Sequence, residues 1–232
     1  MSKIKTNKLQ HTAAGASEFT LPTADGNDGQ FIKTNGSGAL SFATVTTAPA
    51  SGEIIETLTG ICDGRTVTVG SGNYTLSNVT ANQNLTANYE QITGSSISYT
   101  PPSGTKTLIY RFSFQFAPNG TSGISHYVVQ VDSTDINPSR MTMAGEYVSS
   151  NHHHSLRCQE WIFDLTETSD DIPNGKIAGS GWTSNKTLRV LAREYDGSTY
   201  QAAIHRNDYW NGATATGDLL IVKPRMFIQA IA

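Results

Sequence analysis

Charge is scarce in this chain. Only 15% of its 232 residues are Asp, Glu, Lys or Arg, against about a quarter in ordinary soluble domains. The 16 basic and 19 acidic residues nearly cancel, leaving a net charge of -3. No cluster of Lys and Arg is dense enough to neutralise a run of phosphates, which excludes nucleic acid as a partner. Cysteine is limited to Cys62 and Cys158. Two are too few for a disulfide framework, and they read as separate reduced core thiols rather than a bridge. No apolar run approaches the roughly 20 residues that cross a bilayer, so no membrane insertion is expected. Residues 1–10 are polar and basic and lack the apolar stretch of a secretory signal, which places synthesis in a cytoplasm. No segment shows a capped apolar period of 3.6, so helices are not expected as principal elements. Catalytic signatures are missing too: there is no Gly-x-Ser-x-Gly elbow, His-Glu-x-x-His pair or phosphate loop.

What fills the space is Gly, Ser, Thr, Asn and Gln, with hydrophobic residues at 37%. Such a composition suits turns and the exposed faces of sheets. It is not uniform along the chain. Residues 1–48 are poor in large apolar side chains and rich in turn sequences such as Asn35-Gly36-Ser37-Gly38. Within them, Gly29 to Ala43 reads as a small hairpin, with Phe31 and Lys33 alternating against Ile32 and with Leu40 and Phe42 at period 2. A lone hairpin of this size is marginal in water. The segment is therefore expected to gain order from other copies of the chain or from a larger particle. Thr44 to Gly52 reads as a linker of small residues around Pro49.

From residue 53 onward the pattern is one of short apolar alternations separated by Gly, Asn and Asp. The strongest is Leu108 to Phe116. Leu108, Tyr110, Phe112, Phe114 and Phe116 share one face, while Ile109, Arg111, Ser113 and Gln115 share the other, as a half-buried strand requires. About ten such runs predict an all-β fold, a two-sheet sandwich or jelly roll over residues 49–232. Asp218 to Ala232 closes the chain as an apolar run. Pro224 cannot donate to a ladder, so this run is expected at an edge or with a bulge there. The final Met226 to Ala232 reads as a strand buried in the core or between subunits.

Two stretches also carry a resemblance. Ser17-Glu18-Phe19-Thr20-Leu21-Pro22-Thr23-Ala24-Asp25-Gly26, continuing through Gly29-Gln30-Phe31 to Leu40-Ser41-Phe42-Ala43, resembles a segment of fibre and structural proteins of phages and aquatic viruses. Ile97-Ser98-Tyr99-Thr100-Pro101-Pro102-Ser103-Gly104-Thr105-Lys106 leading into Tyr110-Arg111-Phe112, with Ala192-Arg193-Glu194-Tyr195 and Tyr209-Trp210, is similar to the head domain that follows it. The head also looks like jelly rolls of C1q and tumour-necrosis-factor type, a likeness of fold alone. The resemblance implies a virion component: a homotrimer, bound to other virion proteins through residues 1–48, with a C-terminal β head that meets a host surface glycan or receptor. It implies no cofactor.

Candidate contact residues follow from that expectation. Sugar-binding surfaces set aromatic rings against pyranose faces and use Asp and Asn for hydroxyls. Trp182, Tyr195 with Asp196, and Asp208, Tyr209, Trp210 and Asn211 fit this recipe. The competing reading makes Trp161, Trp182 and Trp210 core or interface residues. His152-His153-His154 reads first as a polar loop. On a strand, His152 and His154 would share a side, and around a three-fold axis they could hold a transition metal. Asp170-Asp171 reads as a polar turn rather than a calcium site. Glu160, Asp164, Glu194 and Asp196 supply carboxylates for a glycan-degrading enzyme, but the length and repeat of a β-helix are missing. The expected role is association rather than catalysis, with a purely architectural capsid or tail decoration as the alternative.

Overall fold

The computed structural model describes residues 6–10, 18–44, 48–118, 123–144, 147–148, 151–152, 154–197, 199–209 and 218–232. The chain divides into two compact units, Met1–Ala48 and Pro49–Ala232. In the first, β1 (Lys8–Gln10) pairs with β2 (Glu18–Thr20), and β3 (Gln30–Thr34) pairs with β4 (Leu40–Thr44), both antiparallel. The β3–β4 turn shows why this sequence makes a hairpin. Asn35 Oδ1 accepts the backbone N–H groups of Ser37 at 2.8 Å and Ala39 at 3.0 Å. Gly36 and Gly38 supply the left-handed φ of +80° and +83° that the turn needs, a region that side chains disfavour. None of the unit's described residues is buried. Phe31 and Ile32, on opposite faces of β3, are 43% and 53% exposed.

In the second unit the strands are β5 (Ile54–Ile61), β6 (Thr66–Val69), β7 (Gly72–Thr75), β8 (Gln83–Asn84), β9 (Glu90–Gln91), β10 (Ile97–Tyr99) and β11 (Thr107–Pro118). There follow β12 (Ser125–Val131), β13 (Thr134–Asp135), β14 (Met141–Met143), β15 (Tyr147–Val148), β16 (Asn151–His152) and β17 (Ser155–Asp164). The last are β18 (Lys186–Glu194), β19 (Ala202–Ile204), β20 (Arg206–Tyr209), β21 (Asp218–Ile221) and β22 (Arg225–Ile231).

Two six-stranded sheets carry the fold. One runs β5-β22-β11-β19-β8 with β17 on the other side of β11; the other runs β10-β18-β12-β13 with β14 on β12 and β9 on β18. Number the principal strands β5, β10, β11, β12, β14, β17, β18 and β22 from one to eight. The sheets then read 1-8-3-6 and 2-7-4-5. That is the order a jelly roll produces: every pair but 4-5 joins strands that are not consecutive, and each strand is antiparallel to its neighbours.

The period-2 pattern builds the core between these sheets. Leu108, Tyr110, Phe112, Phe114 and Phe116 on β11 are all fully buried. They face Tyr127 and Val129 of β12 and Leu188 and Val190 of β18, which are buried in the same cluster. Each such side chain contributes about 1.5–3 kcal/mol by leaving water. A buried polar network ties in the β6–β7 hairpin. Glu56 on β5 accepts the Ser71 N–H at 2.7 Å, the Ser71 hydroxyl at 2.6 Å and the Tyr99 hydroxyl at 2.7 Å. Burial, with that bond to Glu56, raises the Tyr99 phenol well above its ordinary pKa.

The structure corrects two expectations. The closing run is two strands, not one. Pro224 sits in the break between β21 and β22, where its carbonyl accepts the Cys62 N–H at 2.9 Å. Strand β22 is therefore central, between β5 and β11, rather than at an edge. Proline's missing donor is tolerated because the break removes it from the ladder. Cys62 and Cys158 are both free, but only Cys62 is in the core. Burial, with the Asp63 carboxylate adding to it, pushes the Cys62 thiol up to about 11. Cys158 lies on the outward face of β17, because its neighbours Gln159 and Phe163 take the inward positions.

Among the described residues, every member of the apolar core lies within 49–232. A chain beginning at Pro49 is expected to unfold as cooperatively as the full chain, with Tm unchanged to within about 2 °C. Calorimetry of the two proteins checks this.

Candidate assembly and attachment surfaces

The outward face of the β5-β22-β11-β17 sheet is the first candidate surface. Register sets its residues in rows across the strands. Ile162, Ile109, Gln229 and Thr57 lie side by side, and Glu160, Arg111, Phe227 and Thr59 form the next row. Large apolar side chains are left in water along both outer strands. Leu156 and Ile162 on β17 are 61% and 54% exposed, and Ile54 and Ile61 on β5 are 56% and 39% exposed. Between them the Arg111 guanidinium bonds the Glu160 carboxylate and lies 5.1 Å from the centre of the Phe227 ring. A charge neutralised in place and laid on an aromatic ring costs less to cover than a free one. Large apolar side chains left in water at both margins make this face a candidate for contact with a partner. Among the described residues neither β5 nor β17 has a strand on its outer edge, although Asp164 at the end of β17 is bridged by Lys176, and open stretches of edge are templates for further association.

The contact residues expected from the sequence do not all reach the surface. Trp182 is 3% exposed. Its indole N–H donates to the Tyr99 carbonyl at 3.0 Å and its ring meets Phe163 edge-on at 5.7 Å. It is a core residue, held inside by its one polar atom finding a partner there, and it leaves the glycan-contact set. Tyr195 is 57% exposed and stands edge-on to Tyr200 at 5.8 Å, with Asp196 half-buried beside it. Asp208 and Tyr209 lie on β20, opposite Leu219 and Asp218 of β21. Trp210 and Asn211 lie outside the described residues.

Of the histidines, His152 ends β16 opposite Tyr147, His153 lies outside the described residues, and His154 precedes β17 with Nδ1 3.2 Å from Asn207 Oδ1. Among the described residues no three His, Cys, Asp or Glu side chains gather as a metal site. The carboxylates are each engaged locally. Glu160 bonds Arg111. Asp164 accepts the Thr166 hydroxyl and N–H at 2.7 and 2.9 Å, which lowers its pKa. Glu194 is buried and accepts the Ala202 N–H at 3.1 Å; burial raises its pKa. Asp170 accepts the Ala178 N–H and Asp171 accepts the Asn174 amide, a polar turn as the residues suggested.

Strand order places the second unit among the jelly-roll sandwiches. No family model matches the chain, and no curated protein matches it. Among solved structures it is similar to that of the infectious bursal disease virus Gx strain, at 10% identity and a TM-score of 0.30, over 95% of this chain and 44% of that one. It is similar to that of the Gt strain at 10% identity and a TM-score of 0.31, over 96% of this chain and 50% of that one. The chain thus spans half the length of those chains or less. Likeness at this level leaves the fold resting on the strand order above.

Proposed function

We propose that this chain is a structural and attachment protein of a virus particle, working as a homotrimer by association rather than catalysis. Residues 1–48 join the particle or its shaft, and the jelly-roll unit is the outward head that meets the host surface. The observation that carries the reading is the outward sheet face that leaves Leu156 and Ile162 exposed at one side and Ile54 and Ile61 at the other. Copies related by a closed rotation bring the β17 side of one head against the β5 side of the next, which also protects both open edges. The first unit, in which no described residue is buried, has surface to give to a particle and no core to keep it independent. The sequence resemblance adds the trimer and the virion. Repetition of heads on a particle turns weak host contacts into firm attachment.

The test is a mass measurement in solution. The intact protein is expected at three times the 24.9 kDa of one chain. The double variant Leu156→Asp, Ile162→Asp is expected to be monomeric at low micromolar concentration with an unchanged circular dichroism spectrum. Each apolar side chain contributes about 1.5–3 kcal/mol when covered, and an aspartate in its place must be desolvated. A wild-type chain that stays a compact monomer overturns the reading.

A further inference from the structure

Between the β6–β7 hairpin and the edge formed by β10 and β18 lies a cleft of about 540 Å³. It is within the range of small-ligand sites, about 300–1,000 Å³. Strand geometry assembles it. Ser98 and Thr187 face each other across the β10–β18 register, and Ser96 and Asn185 follow on the same faces at period 2. Asn73 and Ser77, from the hairpin and the residues just after it, line the opposite wall. Beneath it, the Glu56 bonds to Ser71 and Tyr99 hold hairpin and sandwich together.

The chemistry of the lining is unusually uniform. No Lys, Arg, Asp or Glu lines it. The hydroxyls of Ser77, Ser96, Ser98 and Thr187 have no hydrogen-bond partner among the described residues. Two amides add oriented donors. The Asn73 carbonyl oxygen is taken by the Thr68 hydroxyl and that of Asn185 by the Thr100 hydroxyl, each at 2.7 Å. Each amide is left with an NH2 group that has no partner among the described residues. Four two-way hydroxyls and two fixed donors match a ligand whose own groups both donate and accept. An anionic ligand finds no cation to pair with, and an apolar one leaves six polar groups dry.

We propose that this cleft binds a neutral oligosaccharide. The proposal deepens the attachment reading and rests on it for the ligand's place on a host surface; the fit of cleft to ligand class rests on the lining alone. It moves the expected glycan contact away from the aromatic residues after β18 and onto hydroxyl and amide side chains, of which Asn73, Ser98 and Thr187 stand on strands and Ser77, Ser96 and Asn185 lie within two residues of one. The Glu56 bonds to Ser71 and Tyr99 and the β10–β18 pairing fix the two walls before the sugar arrives, so little ordering is needed on binding.

The full-length protein, fluorescently labelled, is applied to an array of neutral, sialylated and sulfated oligosaccharides, and the best binder is titrated by calorimetry. Binding is expected on neutral oligosaccharides. The double variant Asn185→Ala, Ser98→Ala should bind about tenfold more weakly, as loss of two hydrogen bonds predicts. Ser98→Phe, which fills the cleft from an exposed position, should abolish binding while oligomer mass and Tm stay unchanged. Tyr195→Ala should bind as the parent does. Binding that survives Ser98→Phe, or that is confined to charged sugars, overturns the cleft and leaves attachment standing. Silence across the whole array overturns both the cleft and a glycan receptor, while the mass measurement continues to judge assembly separately.

Discussion

Phe112→Ala is expected to destabilise the jelly-roll unit by about 3–5 kcal/mol, the range for truncating a buried aromatic ring. Phe112 is fully buried, stacked on Phe114 at 5.7 Å and edge-on to His205 at 6.5 Å. The cavity cannot close. Phe112 lies on β11 with Met226 of β22 on one side and Gln159 of β17 on the other, both in register. Hydrogen-bonded strands on either side hold the backbone in place, so the lining loses its contacts outright. In a unit of this size the loss corresponds to a Tm about 10 °C lower. Urea unfolding should show a lower midpoint at unchanged slope. Ser113→Ala, on the next residue but the outward face, should stay within about 0.5 kcal/mol of the parent. Equal effects from the two substitutions would mean that β11 is not half-buried.

Acid should destabilise the same unit through His205. The ring is fully buried, and burial lowers its pKa from 6.5 to about 4. Nε2 lies 2.9 Å from the Thr93 carbonyl, which can only accept, so Nε2 carries the proton. Nδ1 is buried with no partner among the described residues. Protonation would place a second N–H there with nothing to receive it. The sign follows from linkage. Between pH 6.5 and 4 the unfolded chain binds the proton and the folded chain does not, so stability rises with pH across that window. About 3 kcal/mol present above pH 6.5 should be lost by about pH 4, at 1.36 kcal/mol per unit. Glu194 acts in the opposite direction, since burial raises its carboxyl and proton uptake there favours the folded state. His205→Asn isolates the histidine. Asparagine tolerates the left-handed backbone at this position, where φ is +66°, and does not titrate. Urea midpoints measured from pH 7 to pH 4 should fall steeply for the parent and much less for the variant. Parallel curves would show that the ring is charged in the folded state.

Much of the fold was legible in the residues because the information is local. The alternation from Leu108 to Phe116 states which side of β11 is apolar, and Asn35-Gly36-Ser37-Gly38 states where the first unit turns. Two-residue strands such as β8, β9 and β13 were not legible, since two residues show no period. The surfaces were less so. On β17 both faces carry large apolar residues, with Trp161 and Phe163 inward or half-buried and Leu156 and Ile162 outward. Periodicity alone does not say which face a second sheet covers. Trp182 had the turn-rich surroundings of a surface aromatic, yet Tyr99, 83 residues earlier in the chain, offers its carbonyl and draws the indole inside.

The residues by themselves determined a β protein with an opening poor in large apolar side chains, a sandwich after it, and no apolar run long enough to cross a bilayer as a helix. Those properties depend on composition and on neighbours two positions apart. Tertiary structure alone decided which sheet face stays uncovered, that Cys158 looks out while Cys62 is sealed, and that six hydroxyl and amide side chains from three distant segments line one cleft. Each of these depends on pairing between strands far apart in sequence, where a shift of one residue exchanges the two faces.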